Sequence, residues 1–143
     1  MIEVNHTVRF PISKEEFYSV LADVKNYSDV FDGVDSVEII SQNGNTIVAK
    51  LQLSWIKKVS YTLELTLNPG KSVSWKLAEK SKVLSKNEGV WELSEDDEGL
   101  LVSYSLSLDF FGKVPDVIVK KLTAIQLPLM VESIYKKALN PGV

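Results

Sequence analysis

Alternating apolar and polar residues run through most of the chain and predict β-strands. In residues 2–10, apolar side chains occupy the even positions around His6 and polar side chains occupy the odd ones. A period of two is typical of a strand with one buried face. The same pattern returns in residues 37–41, 47–55, 59–67, 73–77, 89–95 and 102–108. Turn residues such as Asn43-Gly44 separate these segments, so we expect an antiparallel meander.

Two short helical segments are expected after the first strand. Ser13 and Glu16 form a capping box, and the apolar spacing that starts at Phe17 predicts a helix to about Asp23. Residues 26–34 predict either a second short helix or an ordered loop.

The segment from Pro115 to Leu139 predicts one long amphipathic helix with proline in its first turn. Its apolar stripe consists of Ile118, Leu122, Ile125, Leu129 and, one step out of register, Ile134. Pro128 lies inside this helix, where a proline removes a backbone hydrogen bond and costs about 3 kcal/mol. Two interpretations remain open. We favour a single helix that bends before Pro128 and wraps a concave sheet, and the alternative is a second helix that begins at Pro128.

Composition and charge exclude several functional classes. The chain has 143 residues, of which 45% are hydrophobic and 24% are charged, as in an ordinary globular domain. Its formal net charge of -3 argues against nucleic acid as a partner. Without cysteine and with His6 as the single histidine, the sequence offers no metal site, and we expect no cofactor. The N-terminus lacks the features of a signal peptide, so a cytoplasmic location is expected.

The element order is a strand, two short helices, about six strands and a long helix, which is a segregated α+β arrangement. It resembles the helix-grip fold of the START and pollen-allergen-like (SRPBCC) superfamily, and in particular its polyketide cyclase/dehydrase and coenzyme Q-binding branch. The stretches that carry the resemblance are Pro11-Ile12 with the helix at 17–21, the segment 26–34, Ser74-Trp75-Lys76-Leu77, residues 87–93, and the pair Val114-Pro115 with Leu127-Pro128. The resemblance covers nearly the whole chain.

This resemblance implies one START-like domain over residues 1–143. In it, a curved antiparallel sheet of about seven strands wraps around the C-terminal helix above a hydrophobic cavity. Members of the superfamily bind lipids, quinones, sterols or polyketides, and a minority catalyse cyclisation or dehydration. Fold alone does not decide between these functions.

The dry faces of the strands and the stripe of the helix would form the walls of such a cavity. The expected ligand-binding residues are Leu51, Leu53, Tyr61, Leu63, Leu65, Trp75, Leu77, Trp91, Tyr104, Leu106, Leu122, Ile125 and Leu129. The alternative is that these side chains simply pack on one another, because protein cores are normally close-packed.

Polar residues on the apolar faces are the only candidates for catalysis. His6, Tyr61 and Tyr104 could orient a ligand or move protons, although they form no recognisable motif. The alternative for His6 is a histidine in the core that is hydrogen-bonded to the backbone. We regard no catalytic assignment as firm.

Two segments suggest an entrance to the cavity. Trp55, Ile56, Lys57 and Lys58 form an apolar and basic hairpin tip, which could act as a lid or touch a membrane transiently. The alternative is that Trp55 packs under the helix end and the lysines are merely solvated. Phe110 and Phe111 precede the long helix and could belong to the same entrance, or pack there as ordinary loop residues.

Three functions remain open. The first is binding or transport of a hydrophobic small molecule, and we favour it because no nucleophile or metal motif is present. The second is an aromatase/cyclase-like or dehydratase-like enzyme acting on a polyketide-like substrate. The third is a protein-interaction module, because the acidic charge does not exclude a protein partner. The sequence does not specify the oligomeric state.

Overall fold

Seven antiparallel strands form one sheet in the computed structural model, which describes residues 2–54 and 58–140. The strands are β1 (Ile2–Phe10), β2 (Val34–Asn43), β3 (Thr46–Leu53), β4 (Val59–Asn68), β5 (Ser72–Leu77), β6 (Leu84–Asp96) and β7 (Gly99–Phe110). Their order across the sheet is β1-β7-β6-β5-β4-β3-β2. Strands β2 to β7 are neighbours in sequence and in space, and β1 pairs with β7, so the predicted meander is confirmed.

Helices flank the sheet at two points of the chain. They are α1 (Lys14–Leu21), a 3-10 turn (Val24–Asn26), α2 (Tyr27–Val30), α3 (Asp116–Lys121), a π-helical turn (Leu122–Gln126) and α4 (Leu127–Leu139). The predicted cap of α1 is present, since the Ser13 hydroxyl accepts a hydrogen bond from the Glu16 backbone N–H at 3.2 Å. Among the described residues, no helix combines the length and apolar character needed to cross a membrane.

A chain of aromatic rings joins the sheet to α1 and α4 at one end of the molecule. The Phe10 ring stacks on Tyr135 of α4 at 4.4 Å between centroids and on Phe17 of α1 at 5.8 Å. Phe17 is fully buried and packs in turn against Trp91 of β6, at 6.4 Å. This end is therefore closed by side chains, and any open space between the sheet and the C-terminal helix lies toward the other end.

The C-terminal helix differs from the sequence prediction in its register. Ile125 and Leu129 were expected to face the sheet, but their side chains are 52% and 46% exposed, so this prediction is wrong. The buried residues of α4 are Leu127, Val131, Ile134 and Ala138.

The π-helical turn explains this change of register. A π turn holds more residues than an α turn, so every side chain after it is rotated relative to regular α spacing. Ile134, which the regular spacing places out of register, is fully buried as a result. Pro128 is the second residue of α4, directly after the π-helical turn. The helical path is thus continuous, but a new α-helical segment begins next to Pro128.

The observed register predicts a large loss of stability for one truncation in α4 and a very small change for another. Ile134→Ala should lower the free energy of unfolding by about 3 kcal/mol, because it removes a fully buried side chain and leaves a void. Leu129→Ala should change that free energy by less than about 0.5 kcal/mol, because the side chain is nearly half exposed. Urea denaturation measures both values. Equal losses in the two variants would contradict the observed register.

Candidate functional site

A cavity of about 370 Å³ lies between the sheet and the C-terminal helix. Strands β3 to β7 contribute most of its wall, and α2, the segment after β7, α3 and α4 complete it. Its lining reaches Phe111 and Lys113, which are exposed, so the cavity opens to the surface at that end. The lining is almost entirely apolar, as in most pockets for small molecules.

The structure brings most of the predicted wall residues together. Those that line the cavity are Leu51, Leu53, Tyr61, Leu63, Leu65, Trp75, Trp91, Tyr104 and Leu106. Strand pairing explains the grouping: residues opposite each other in neighbouring strands, such as Leu51 and Tyr61, lie on the same face of the sheet. The alternation in the sequence therefore places these side chains on one face of the sheet.

Three other predicted wall residues, Leu77, Ile125 and Leu129, do not line the cavity. Leu77 packs against the core at the end of β5, and Ile125 and Leu129 point away from the sheet because of the π-helical turn. For Leu122, only the backbone is described. The helix side of the wall is made instead by Ile118, Leu127 and Met130.

Among the described wall residues, Asn87 is the one with a side-chain amide, and it is only 5% exposed. It lies on the same face of β6 as Trp91, and the register shift between Leu84 and Lys86 brings Leu84 to that face as well. The indole Nε1–H of Trp75 donates a hydrogen bond to Asn87 Oδ1 at 3.0 Å. This bond fixes the orientation of the amide, because the indole can only donate.

Gly89 allows the Trp75 ring to take this position. The two residues face each other in the β5–β6 pair. A Cβ built on Gly89 would lie 2.3 Å from the Ser105 carbonyl oxygen and 2.5 Å from the Trp75 ring. Only glycine therefore lets the indole lie against the backbone of β6 and reach Asn87.

Two tyrosines complete the polar part of the wall. Tyr104 is 2% exposed, and its ring lies 5.9 Å from Trp75 and 4.5 Å from Trp91 between centroids. Burial raises the pKa of Tyr61 to about 12, against the opposing effect of a hydrogen bond with Asn87. Burial also raises the pKa of Tyr104, and the nearby Tyr61 adds to the shift. Both phenols therefore keep their protons at neutral pH.

These shifts predict a loss of stability at high pH. The folded pKa of Tyr61 lies above its ordinary value of 10.0, so the folded state holds a proton that the unfolded state releases. The contribution of Tyr61 to stability should be complete below pH 10 and be lost as the pH rises toward 12. An ultraviolet difference titration of the wild type against Tyr61→Phe measures the pH at which the Tyr61 phenolate forms. Circular dichroism follows unfolding over the same pH range. A Tyr61 phenolate that forms near pH 10 in folded protein would contradict it.

The open end of the cavity lies where β7 leads into α3. Phe110 and Phe111 line this end as expected, and Phe111 is 63% exposed. Gly112 next to them has φ +85 with no atom near its missing Cβ. The predicted tip residues Trp55, Ile56 and Lys57 lie outside the described residues, and Lys58 is exposed.

His6 is placed away from the cavity wall. It lies half-buried in β1, opposite Tyr104 of β7, and it is absent from the lining. Within residues 2–54 and 58–140, no group of three or more His, Asp or Glu side chains lies close enough together to hold a metal ion. The chemistry that the described wall offers is therefore hydrogen bonding from Tyr61, Asn87 and Tyr104 inside an apolar enclosure.

Sequence reasoning missed several wall residues. Val59, Val73 and Leu108 follow the same alternation as the predicted residues and could have been included. Asn87 shares the parity of Trp91, and an amide inside a strand is unusual enough to have marked it. The other missed wall residues are Tyr27, Phe31, Val34, Val83, Leu84, Lys113, Val114 and Pro115.

One family model matches most of this chain. The family model described as "Polyketide cyclase / dehydrase and lipid transport" matches residues 10–134. No curated protein matches the chain.

Solved structures share the fold at low sequence identity. The Zhui aromatase/cyclase from a Streptomyces species is 18% identical, with 96% of this chain and 93% of that chain covered and a TM-score of 0.75. A START superfamily protein from Mycobacterium smegmatis is 16% identical, with 97% and 98% covered and a TM-score of 0.81. A conserved protein from Geobacillus kaustophilus is 20% identical, with 96% and 95% covered and a TM-score of 0.73. At these identities the likeness establishes the helix-grip fold alone.

Proposed function

Because the chain belongs to the polyketide cyclase/dehydrase and lipid transport family, we propose that it binds or transports a hydrophobic small molecule in its cavity. The observation that carries the proposal is the apolar enclosure of about 370 Å³. An engineered cavity of about 150 Å³ is large enough to bind benzene. The space here is about two and a half times larger, which suits a compact ligand of two or three rings or an equivalent lipid, quinone or polyketide.

The energetic cost of such a space supports a functional role. Unfilled volume in a closed core costs about 24 cal/mol per Å³ in lost packing, so 370 Å³ corresponds to at most about 9 kcal/mol in a cavity that opens to solvent at one end. That cost is comparable with the total stability of a typical domain, about 5–15 kcal/mol. A chain selected for stability alone would fill this space with larger side chains. A ligand that occupies it recovers part of the lost contact.

Native mass spectrometry of freshly purified protein tests this proposal. We expect a fraction of the protein to carry an additional mass that organic extraction removes, and the extract to contain an apolar molecule. Protein that carries no such molecule, and that takes up no apolar probe when one is added, would overturn it.

A cyclase-like or dehydratase-like activity is the second candidate, because Tyr61 and Tyr104 lie together inside the cavity. Their raised pKa values suit hydrogen-bond donors better than bases at neutral pH. His6 lies outside the wall, and the Tyr27 hydroxyl donates to the Leu21 carbonyl oxygen. Of the described wall residues, this leaves Tyr61, Tyr104 and the exposed Lys113 as candidate acids. Binding without turnover is therefore the better-supported function. Conversion of a polyketide-like substrate that Tyr104→Phe abolishes, with substrate affinity retained, would favour the enzyme instead.

We also propose that the open end touches a membrane transiently while the ligand enters or leaves. Phe111 is 63% exposed and Val117 is 73% exposed. Lys113 lies between them in the sequence and lines the cavity. Exposed apolar side chains beside lysines suit an anionic lipid surface, where the rings enter the interface and the ammonium groups meet phosphates. Lys120 and Lys121 of α3 are exposed and extend the basic character of this end.

Paired variants test the membrane contact. Phe111→Ser with Val117→Ser should reduce co-sedimentation with vesicles of phosphatidylserine and phosphatidylcholine by about tenfold or more, since two large apolar side chains leave the interface. The matched control is Ile40→Ser, which removes a 54% exposed apolar side chain from β2. Vesicle binding that is unchanged in the double variant, or lost equally in the control, would contradict the contact.

A further inference from the structure

Asn87 is held so that its amide N–H groups are directed away from Trp75. Its Oδ1 accepts the indole hydrogen bond at 3.0 Å, which leaves the Nδ2 group for a second partner. Tyr61 lines the same cavity, and Asn87 opposes the rise that burial causes in the pKa of this phenol. The Tyr61 O–H can therefore donate a hydrogen bond to an occupant of the cavity at neutral pH.

Tyr104 supplies a second hydroxyl to the same cavity. Its ring is held between Trp75 and Trp91, so the position of its hydroxyl is well defined. Among the described residues, the one enclosed side-chain oxygen that lacks a hydrogen-bond partner is the Tyr18 hydroxyl, not that of Tyr104. Because Tyr104 lines the cavity, its O–H can donate a hydrogen bond to an acceptor carried by the cavity's occupant.

The charges of the wall restrict the kind of acceptor. Of the described residues that line the cavity, only Lys113 is charged, and it lies at the open end. A carboxylate or phosphate placed at the inner end would therefore lose its water without gaining a cation. A neutral carbonyl oxygen, with two lone pairs and no charge, suits two phenol donors in an apolar enclosure.

We infer that the ligand carries a neutral carbonyl group on an apolar ring frame, and that the hydroxyls of Tyr61 and Tyr104 both donate hydrogen bonds to its oxygen. The ligand then enters with its carbonyl first and leaves its apolar end toward Phe111. Asn87, oriented by Trp75, lies in the same wall as these two tyrosines. This inference rests on the proposed binding function, because it describes the occupant of the same cavity.

A matched pair of probes tests it. Tetralin is a bicyclic hydrocarbon, and 1-tetralone is the ketone of the same ring frame. Calorimetric titration compares both probes with the wild type and with Tyr104→Phe. We expect Tyr104→Phe to weaken binding of 1-tetralone by about tenfold, the effect of one hydrogen bond, and to leave binding of tetralin unchanged. The carbonyl stretch of bound 1-tetralone should lie at lower frequency in the wild type than in the variant.

Tyr18→Phe is the matched control, because it removes a buried hydroxyl outside the cavity lining. It should change the affinity for neither probe. If Tyr104→Phe misfolds, Tyr61→Phe provides the same comparison. Tetralin binding combined with equal losses for both probes, or no loss for 1-tetralone, would overturn this inference and leave the binding function standing. A wild type that binds neither probe would overturn both.

Discussion

Replacing Gly89 with alanine should lower the free energy of unfolding by about 3 kcal/mol, because one methyl group cannot be accommodated there. A Cβ at this position would lie 2.3 Å from the Ser105 carbonyl oxygen and 2.5 Å from the Trp75 ring. The backbone of β7 cannot move without disturbing its pairing with both β1 and β6. The clash with the ring is relieved only if Trp75 moves and loses its hydrogen bond with Asn87, and the clash with the Ser105 carbonyl oxygen remains. We also expect weaker binding of carbonyl-bearing ligands, since the displaced indole no longer orients Asn87.

Gly44→Ala is the control for this variant. Gly44 has φ +58, so alanine is strained there, but no atom lies within 4 Å of the added Cβ. The expected loss is about 1 kcal/mol from backbone strain alone. Urea denaturation gives both values, and tryptophan fluorescence reports the displacement of Trp75. A loss in Gly89→Ala no larger than in Gly44→Ala would show that the contact with Trp75 is not restrictive.

Filling the cavity should abolish ligand binding without unfolding the protein. Leu63 is buried in the middle of β4 and lines the cavity. Leu63→Trp places an indole in space that a ligand would occupy, so we expect at least a tenfold loss of affinity for tetralin, equivalent to about 1.4 kcal/mol or more. The added ring gains contacts in a space that was unfilled. The free energy of unfolding should therefore fall by no more than about 1.5 kcal/mol.

A control variant with a tryptophan on the surface shows whether a loss of binding comes from filling the cavity or from adding a tryptophan elsewhere in the protein. Ile39 of β2 is 37% exposed and does not line the cavity, so Ile39→Trp should bind tetralin like the wild type. Calorimetry measures both affinities, and circular dichroism checks that both variants are folded. Tetralin that binds Leu63→Trp with undiminished affinity would place the ligand site elsewhere on the molecule.

The sheet and its dry face could be predicted from the sequence for a simple physical reason. Side chains in a strand alternate strictly between two faces. The sequence alone therefore shows that Leu51 and Leu53 share one face of their strand, and that Leu63 and Leu65 share one face of theirs. The turns between the strands are short, which makes neighbours in sequence neighbours in the sheet. The family resemblance, confirmed by the match over residues 10–134, then supplied the position of the helix.

The register of the C-terminal helix could not be predicted in the same way. Regular α spacing carried from Ile118 places Ile125 and Leu129 inside, whereas both are exposed. The π-helical turn at Leu122–Gln126 adds residues to one turn and rotates everything that follows. Pro128 indicated an irregularity in the helix, but the sequence alone did not predict that a π-helical turn precedes it. A local change in hydrogen bonding of this kind leaves no periodic trace in the sequence.

The polar part of the site also escaped sequence reasoning in part. Tyr61 and Tyr104 were identified because they lie on apolar faces, but Asn87 was treated only as part of a family motif. It shares the parity of Trp91, but its hydrogen bond with Trp75 of β5 depends on strand pairing that the alternation does not give. The role of Gly89 similarly follows from a contact across strands with Trp75, which requires the pairing to be known.

The most direct test of a ligand-binding cavity is a calorimetric titration of the wild-type protein with tetralin at several temperatures. We predict binding at one site per chain with a negative heat-capacity change, because the probe transfers apolar surface from water into the enclosure between sheet and helix. A folded protein that takes up no tetralin, or that binds it with no change in heat capacity, would contradict the presence of such a site.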